Sequence, residues 1–151
     1  MKLQVNWQDP LPLRSGARQN LIYTLDVDAL PDGPGIYVFG RCFGQSLEAL
    51  YVGQAMNLRH RVYTQLNNLK LMQHVKTAKA GRRVVVIGEF LVGPRQPLDK
   101  CLNIVERAFI RHFLSDGHDL VNISGTALRR HEVLSSYRPM RFVPPVIYVD
   151  R

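Results

Sequence analysis

Two tripeptides, each with a tyrosine and a glycine at its ends, have the residue types and the spacing to do chemistry. They are Gly35-Ile36-Tyr37 and Tyr51-Val52-Gly53, and thirteen residues separate them. Both are expected on the strands of a hairpin, which would bring the two tyrosine side chains close together across the strands. Two phenols can hold a water molecule and remove its proton, provided that a nearby cation lowers a phenol pKa from about 10.

An arginine follows the second tripeptide on a predicted helix. Arg61 comes four residues after Asn57 and four before Gln65. Residues at this spacing share one face of a helix, which here lies beside the apolar stripe. A guanidinium in that place could bind a phosphate group and stabilise the charge that develops on it in a transition state.

Glu106 is a candidate metal ligand. It lies on a second predicted helix, beside the apolar residues Val105, Phe109 and Ile110. A carboxylate beside an apolar stripe is costly unless it is paired with a cation or bound to a metal ion. Magnesium is commonly held by one or two protein carboxylates, completed by waters and phosphate oxygens. A single glutamate is therefore enough for one Mg²⁺ or Mn²⁺ ion.

The order of these residues resembles the GIY-YIG nuclease superfamily. The resemblance covers residues 34–124, from the tripeptide hairpin through Arg61 and Glu106 to Asn122. Each residue alone has a more ordinary explanation, such as cross-strand packing for a tyrosine or a solvated helix face for an arginine. Five elements in the right order, on the expected helices and strands, favour the functional explanation.

The resemblance implies a metal-dependent DNA endonuclease that hydrolyses phosphodiester bonds with one Mg²⁺ or Mn²⁺ ion. Tyr37 would act as the general base on the attacking water, and Tyr51 would help to position it. Arg61 would bind the scissile phosphate, and Glu106 would bind the metal ion. Supporting roles, through backbone shape or hydrogen bonds, fall to Gly35, Gly53 and Asn122.

One position departs from the family's usual pattern. A histidine or tyrosine normally stands one helical turn after the arginine, and here that position is Gln65. Glutamine cannot act as a general base near neutral pH, although it can hydrogen-bond water or phosphate. His74, in the basic segment that follows, is a second supporting candidate. The departure leaves open a catalytically impaired nucleic-acid-binding module of the same fold.

The charge balance indicates a polyanionic partner. Twenty lysines and arginines against twelve aspartates and glutamates give a net charge of +8. Such a surface attracts the phosphate backbone of DNA, although an acidic protein partner is a third possibility. No separate recognition domain is evident, so we expect shape-dependent or weakly sequence-dependent cutting unless a further partner supplies targeting. The protein is expected to be a monomer or a homodimer. The residues expected to contact DNA are Arg59, Lys76, Arg82, Arg129 and Arg130.

Hydrophobic periodicity predicts a small α/β (α+β) fold, with a mainly antiparallel, three-stranded central sheet flanked by helices. The three strands are expected at 35–41, 49–55 and 84–92. One helix is expected from the Asn57 cap to Lys70 and another at 98–114, with a basic, mobile segment at 71–81. The chain is predicted to divide into three parts: an N-terminal arm at 1–33, the nuclease-like core at 34–124 and a basic C-terminal extension at 125–151. The arm is expected to contain a strand at 21–25. The extension is expected to pack on the core and to contain an edge strand at 143–149.

Other features favour a cytoplasmic protein that does not act in a membrane. No stretch approaches the roughly 20 apolar residues that span a bilayer, and the first ten residues contain no hydrophobic signal core. The two cysteines, Cys42 and Cys101, form no metal-ligand motif and are expected to be free thiols.

Overall fold

The computed structural model describes residues 1–121, 130–135 and 144–150. The described strands are β1 Gln4–Trp7, β2 Leu11–Pro12, β3 Arg14–Ser15, β4 Tyr23–Thr24, β5 Gly35–Phe43, β6 Ser46–Ala55, β7 Arg82–Leu91, β8 Arg130–Leu134 and β9 Val146–Asp150. The described α-helices are α1 Leu58–Gln65, α2 Leu69–Thr77 and α3 Leu98–Ser115. The chain is therefore of mixed α/β class, as expected.

The central sheet has five strands rather than the predicted three. Its order is β1-β7-β5-β6, and β2 also pairs with β7, all pairs being antiparallel. The three predicted strands are its core, and the additional two come from the segment expected to be an arm. They cover the outer edge of β7, where backbone N–H and C=O groups would otherwise lack partners. The short, mostly exposed stretch Gln4–Trp7 gives little hydrophobic signal for such a role.

The β5–β6 hairpin is longer than the sequence predicted. Its strands continue to Phe43 and from Ser46, which leaves a two-residue turn in place of the expected loop. Gly44 makes this turn possible with a φ of 58°. A register irregularity after Phe39 places that residue opposite Tyr51.

The helix predicted to end at Lys70 is two helices. It breaks after Gln65, and Asn68 caps α2 by accepting a hydrogen bond from the Leu71 N–H. Asparagine is poor inside a helix and favourable at an N-cap, because its side chain competes for backbone groups. The segment 71–81, predicted to be mobile, is consequently helical up to Thr77 and buries apolar side chains against the sheet.

The helices cover both faces of the sheet. Tyr37, Phe39 and Tyr51 pack with α1 and α2 on one face. Ile36, Val38 and Val52 alternate to the other face and pack with α3. β6 is the last strand of the sheet, and the hydrogen bond from the Val121 N–H to the Leu50 carbonyl covers part of its outer edge.

The remaining predictions concern the C-terminal half and the cysteines. The helix predicted at 98–114 is confirmed as α3. β9 confirms most of the strand predicted at 143–149, pairs with β8 and lies against α3. Cys42 and Cys101 are free. In the described part of the chain, no helix has the length and apolar character to cross a membrane.

Candidate active site

The hairpin glycines let other groups come close. In the register of the hairpin, Gly53 lies directly opposite Tyr37. A Cβ atom at Gly53 would overlap the phenol ring of Tyr37, which lies across the glycine. A Cβ at Gly35 would overlap the backbone of Gly88 on β7 and press on Leu58 at the start of α1. Neither tripeptide glycine therefore has room for a side chain.

The two tyrosines are neighbours on the face that packs against α1. The ring centroids of Tyr37 and Tyr51 are 6.0 Å apart, as expected for residues placed diagonally across a hairpin. Tyr37 is wholly buried, and Tyr51 is 8% exposed. Burial raises the pKa of Tyr51 well above its ordinary value, and the charge and hydrogen bond of Tyr37 raise it further. A phenol that holds its proton this strongly is suited to orient a water and unsuited to be a base.

Gln65 joins the two hydroxyl groups. Its side-chain Nε2 donates to the Tyr37 hydroxyl oxygen at 2.8 Å and lies 3.3 Å from the Tyr51 hydroxyl oxygen. Its Oε1 accepts a hydrogen bond of 3.1 Å from Asn68 Nδ2. The glutamine is 5% exposed, so its polar ends must be satisfied within the protein. Gln65, which stands where the GIY-YIG family usually has a histidine or tyrosine, thus hydrogen-bonds both phenols. It cannot accept a proton from either of them.

Arg61 lies at the open side of this cluster. It is exposed to solvent on α1, one turn before Gln65. A hydrogen bond with Tyr37 raises the pKa of Arg61, and the charge of Glu106 makes a smaller contribution in the same direction. Its guanidinium is therefore charged and close to the phenol, in a position where an anionic ligand could reach it.

Glu106 approaches from the opposite face of the sheet, on α3. It is half-buried, and this burial raises the pKa of its carboxyl above the ordinary value. Gln54 Nε2 donates to Glu106 Oε2 at 3.1 Å and to Asn103 Oδ1 at 2.6 Å, which partly offsets the effect of burial. The positive charge of Arg61 also lowers the pKa of Glu106, so the two predicted site residues interact across β6.

Gln54 is a site residue that sequence reasoning missed. It directly follows Gly53 and alternates to the α3 face, where it orients the Glu106 carboxylate. Its place next to the second tripeptide was the available signal. The partner on α3 is fifty-two residues further along the chain, however, and only the fold brings it near.

His74 is not part of this cluster. It lies on α2, and its ring Nε2 donates to the Asp119 carbonyl oxygen, which is 3.0 Å away. In residues 1–121, no hydrogen bond connects it to Tyr37, Tyr51 or Arg61. The structure places His74 as a tie between α2 and the segment after α3.

The residues expected to contact DNA differ in how far they are engaged within the protein. Arg59 Nε donates to the Leu30 carbonyl oxygen, and its Nη1 lies 3.2 Å from Asp32 Oδ1. Arg59 thus ties α1 to the segment before the hairpin, while its side chain remains 40% exposed. Lys76 and Arg82 are exposed, at the end of α2 and at the start of β7. Arg130 begins β8. Asn122 and Arg129 lie outside the described residues.

The candidate site combines the hydroxyls of Tyr37 and Tyr51, the guanidinium of Arg61 and the carboxylate of Glu106. Within the described ranges, no group of three or more histidines, cysteines, aspartates and glutamates is close enough to hold a metal ion. A metal ion beside Glu106 would have to take most of its ligands from water and from a substrate, which is how Mg²⁺ commonly binds. The cluster could bind a phosphate through Arg61 and place a water near the phenols.

Comparison with known proteins finds one partial similarity. Over 66 residues, the chain is 36% identical to UvrABC system protein C of Mycoplasma mycoides subsp. mycoides SC. This stretch makes up 44% of the present chain and 10% of that protein, so the chain spans about a tenth of its length. No family model matches the chain. No solved structure matches it either.

Proposed function

We propose that this chain is a metal-dependent DNA endonuclease that hydrolyses phosphodiester bonds at a GIY-YIG-type, one-metal site. The observation that carries the proposal is the convergence of Tyr37, Tyr51, Arg61 and Glu106 from four different elements around β6. The partial similarity to UvrABC system protein C supports a nuclease role. The net charge of +8 supports a DNA partner.

Arg61 would bind the scissile phosphate, because it presents a charged, exposed guanidinium beside the phenols. As negative charge develops on the phosphate oxygens, the same guanidinium would stabilise the transition state. Tyr37 would first lose its hydroxyl proton to water and then, as a phenolate, accept the proton of the attacking water. Tyr51, whose pKa burial holds far above neutrality, would orient that water by hydrogen bonding.

The order of events follows from burial. Tyr37 has no exposed surface, and Arg61 is hydrogen-bonded to it at the exposed side of the cluster. A water would therefore reach the Tyr37 oxygen only after neighbouring side chains have moved. A DNA phosphate that attracts Arg61 would cause this movement, so the base would become accessible when substrate is bound.

Glu106 fits a single Mg²⁺ or Mn²⁺ ion. Its Oε2 is oriented by the side-chain amide of Gln54. A half-buried carboxylate whose pKa is raised by burial gains more from a nearby cation than an exposed one does. When bound, the ion would stabilise negative charge on the leaving oxygen.

A nucleic-acid-binding module of the same fold, with impaired catalysis, is the second candidate. The observation that favours it is Gln65, which occupies both phenol oxygens in a buried network and cannot itself accept a proton from water. DNA binding through the basic surface would survive in such a protein, and cleavage would not.

Cleavage of supercoiled plasmid in Mg²⁺ tests the endonuclease, with an EDTA control. We expect the wild type to nick or linearise the plasmid and Glu106→Ala to lose this activity. Asp99→Ala is the matched control, because it removes an exposed carboxylate from the first turn of the same helix. Equal loss of activity in both variants would assign the effect to α3 as a whole and would remove Glu106 as the metal ligand.

Binding to the same DNA decides between the two candidates. If pure wild-type protein cuts neither plasmid nor single-stranded nor branched DNA, but binds them with an affinity that falls as salt rises, the binding module replaces the endonuclease. Absence of both cleavage and binding would overturn both candidates.

A further inference from the structure

The side-chain amide of Gln65 has two different ends, and the site depends on which end faces the tyrosines. The oxygen end only accepts hydrogen bonds, and the nitrogen end only donates them. The direction of a buried amide is decided by its neighbours. Tyrosine hydroxyls can both donate and accept, so Tyr37 and Tyr51 do not decide the direction themselves.

The direction of the Gln65 amide is set by a backbone N–H of α2. The Leu71 N–H can only donate, and it is 3.2 Å from the side chain of its cap, Asn68. The Asn68 atom that faces it must therefore be the oxygen Oδ1, which leaves Nδ2 to face Gln65 at 3.1 Å. Because Nδ2 can only donate, Gln65 must present Oε1 to it. Both N–H groups of Gln65 are then directed to the tyrosine oxygens.

We propose that Asn68 is a positioning residue which, through Gln65, holds the oxygens of Tyr37 and Tyr51 as hydrogen-bond acceptors. The break between α1 and α2 thereby sets the hydrogen-bond polarity of the site. An oxygen surrounded by donors is stabilised when it carries negative charge, as the base of the proposed reaction must on the way to accepting a proton. The catalytic consequence rests on the proposed function, whereas the polarity itself does not.

The charged and titratable groups around Tyr37 come from three elements of the described fold. Tyr51 faces it from β6, and Arg61 faces it from α1. Glu106 acts from α3 through its charge on Tyr51 and Arg61. On α2, His74 is directed to Asp119 instead. Arg61 adds a second donor to the Tyr37 oxygen, so Gln65 and Arg61 act on it in the same direction.

The variant Asn68→Asp tests this polarity. It keeps an oxygen to cap the Leu71 N–H, but its second oxygen can only accept. Gln65 would then turn its amide end for end and present Oε1 to the tyrosines. In ¹⁵N-labelled protein, the side-chain NH₂ protons of Gln65 should show nuclear Overhauser effects to both tyrosine rings in the wild type. They should lose these effects in the variant. Unchanged effects in a folded variant would overturn the proposal.

Asn57→Asp is the matched control. Asn57 caps α1 in the same way, by accepting a hydrogen bond from the His60 N–H, but it makes no hydrogen bond to Gln65. This control adds the same negative charge at another helix N-cap. We expect its Gln65 amide signals to stay as in the wild type. A reversal in both variants would mean that negative charge, and not the Asn68 amide, sets the direction of Gln65.

The catalytic consequence is read from cleavage kinetics. We expect Asn68→Asp to lower kcat by about 10- to 100-fold with little change in KM, because general-base catalysis contributes roughly 10²- to 10⁴-fold and substrate binding is not touched. If the amide reverses and kcat is unchanged, the positioning role is overturned although the polarity stands. If the wild type cuts no DNA, the proposed function fails, and the amide signals still decide the polarity.

A second variant covers the case in which Asn68→Asp does not fold. Gln65→Glu leaves the cap of α2 in place and directs a carboxylate oxygen, which only accepts, to the tyrosines. The same fall in kcat with unchanged KM is expected. Wild-type kcat in folded Gln65→Glu would overturn the positioning role.

Discussion

At the scale of single residues, the site depends on how closely its parts fit. The phenol of Tyr37 lies against Gly53, and its hydroxyl oxygen accepts a hydrogen bond from Gln65. Its ring therefore has little room to move. A displacement of about 1 Å in a reacting group can lower a rate by roughly 100-fold. The second tripeptide thus ends in glycine because the phenol of the first needs the space.

Gly53→Ala should displace the Tyr37 ring and lower cleavage by about 100-fold, because its new methyl group would overlap the phenol. The measurement is plasmid cleavage, together with thermal unfolding to show that the protein is folded. Gly33→Ala is the control, since no heavy atom lies within 4 Å of the Cβ position there. Full activity of folded Gly53→Ala would mean that the position of Tyr37 does not limit the reaction.

At the scale of elements, the helix that carries Asn68 is held at both of its ends. Asn68 caps its N-terminus. In its last turn and just beyond it, Arg83 on β7 donates to the backbone carbonyls of Lys76, Ala78, Lys79 and Gly81, at 2.7–3.2 Å. The last carbonyls of a helix lack hydrogen-bond partners within the helix. The guanidinium of Arg83 supplies donors to such carbonyls at this end of α2. These hydrogen bonds tie the end of α2 and the turn after it to the sheet.

Arg83→Met should lower the free energy of unfolding by about 1–3 kcal/mol, because carbonyls in the turn after α2 would lose a charged donor. Urea denaturation monitored by circular dichroism measures this change. The neighbouring residue supplies the control, since Arg82 is exposed and its side chain makes no hydrogen bond within the described residues. Equal destabilisation by Arg82→Met would contradict a specific role for Arg83.

At the scale of the whole molecule, stability and function oppose each other at Glu106. Burial raises the carboxyl pKa in the folded state, so the folded protein binds this proton more tightly than the unfolded chain does. The stabilising contribution of this group is present below the unfolded pKa of about 4.3 and is lost as the pH rises through the raised folded value. Near neutral pH, the ionised carboxylate therefore weakens the fold, although the proposed function would require it to bind the metal ion in this form.

Glu106→Gln should consequently raise the free energy of unfolding at pH 7, because it keeps the shape and removes the buried charge. The gain should shrink as the pH falls toward 4, where wild-type Glu106 becomes protonated. Urea denaturation across this range gives both results, and Asp99→Asn is the exposed control on the same helix. A variant less stable than the wild type at pH 7 would show that the pairing of Glu106 with Gln54 and Arg61 outweighs burial.

The sequence by itself determined most of the local elements and the chemical types of the candidate site groups. Periodicity of two and of 3.6 residues placed the tripeptides on a hairpin, Arg61 on the first helix and Glu106 on the last, because these patterns are local. The chemistry of phenol, guanidinium and carboxylate also belongs to the residue type. Local patterns were wrong where two weak signals competed, as at the break before Asn68, where the apolar spacing continues across a cap.

Only the tertiary structure decided which groups meet. β1 and β2 join the sheet because the edge of β7 needs partners, which their own residues do not reveal. Gln54 orients Glu106 over a separation of fifty-two residues. The direction of the Gln65 amide was decided by one backbone N–H on the next helix. Hydrogen bonds depend on distance and direction in space, and neither can be obtained from the order of residues along the chain.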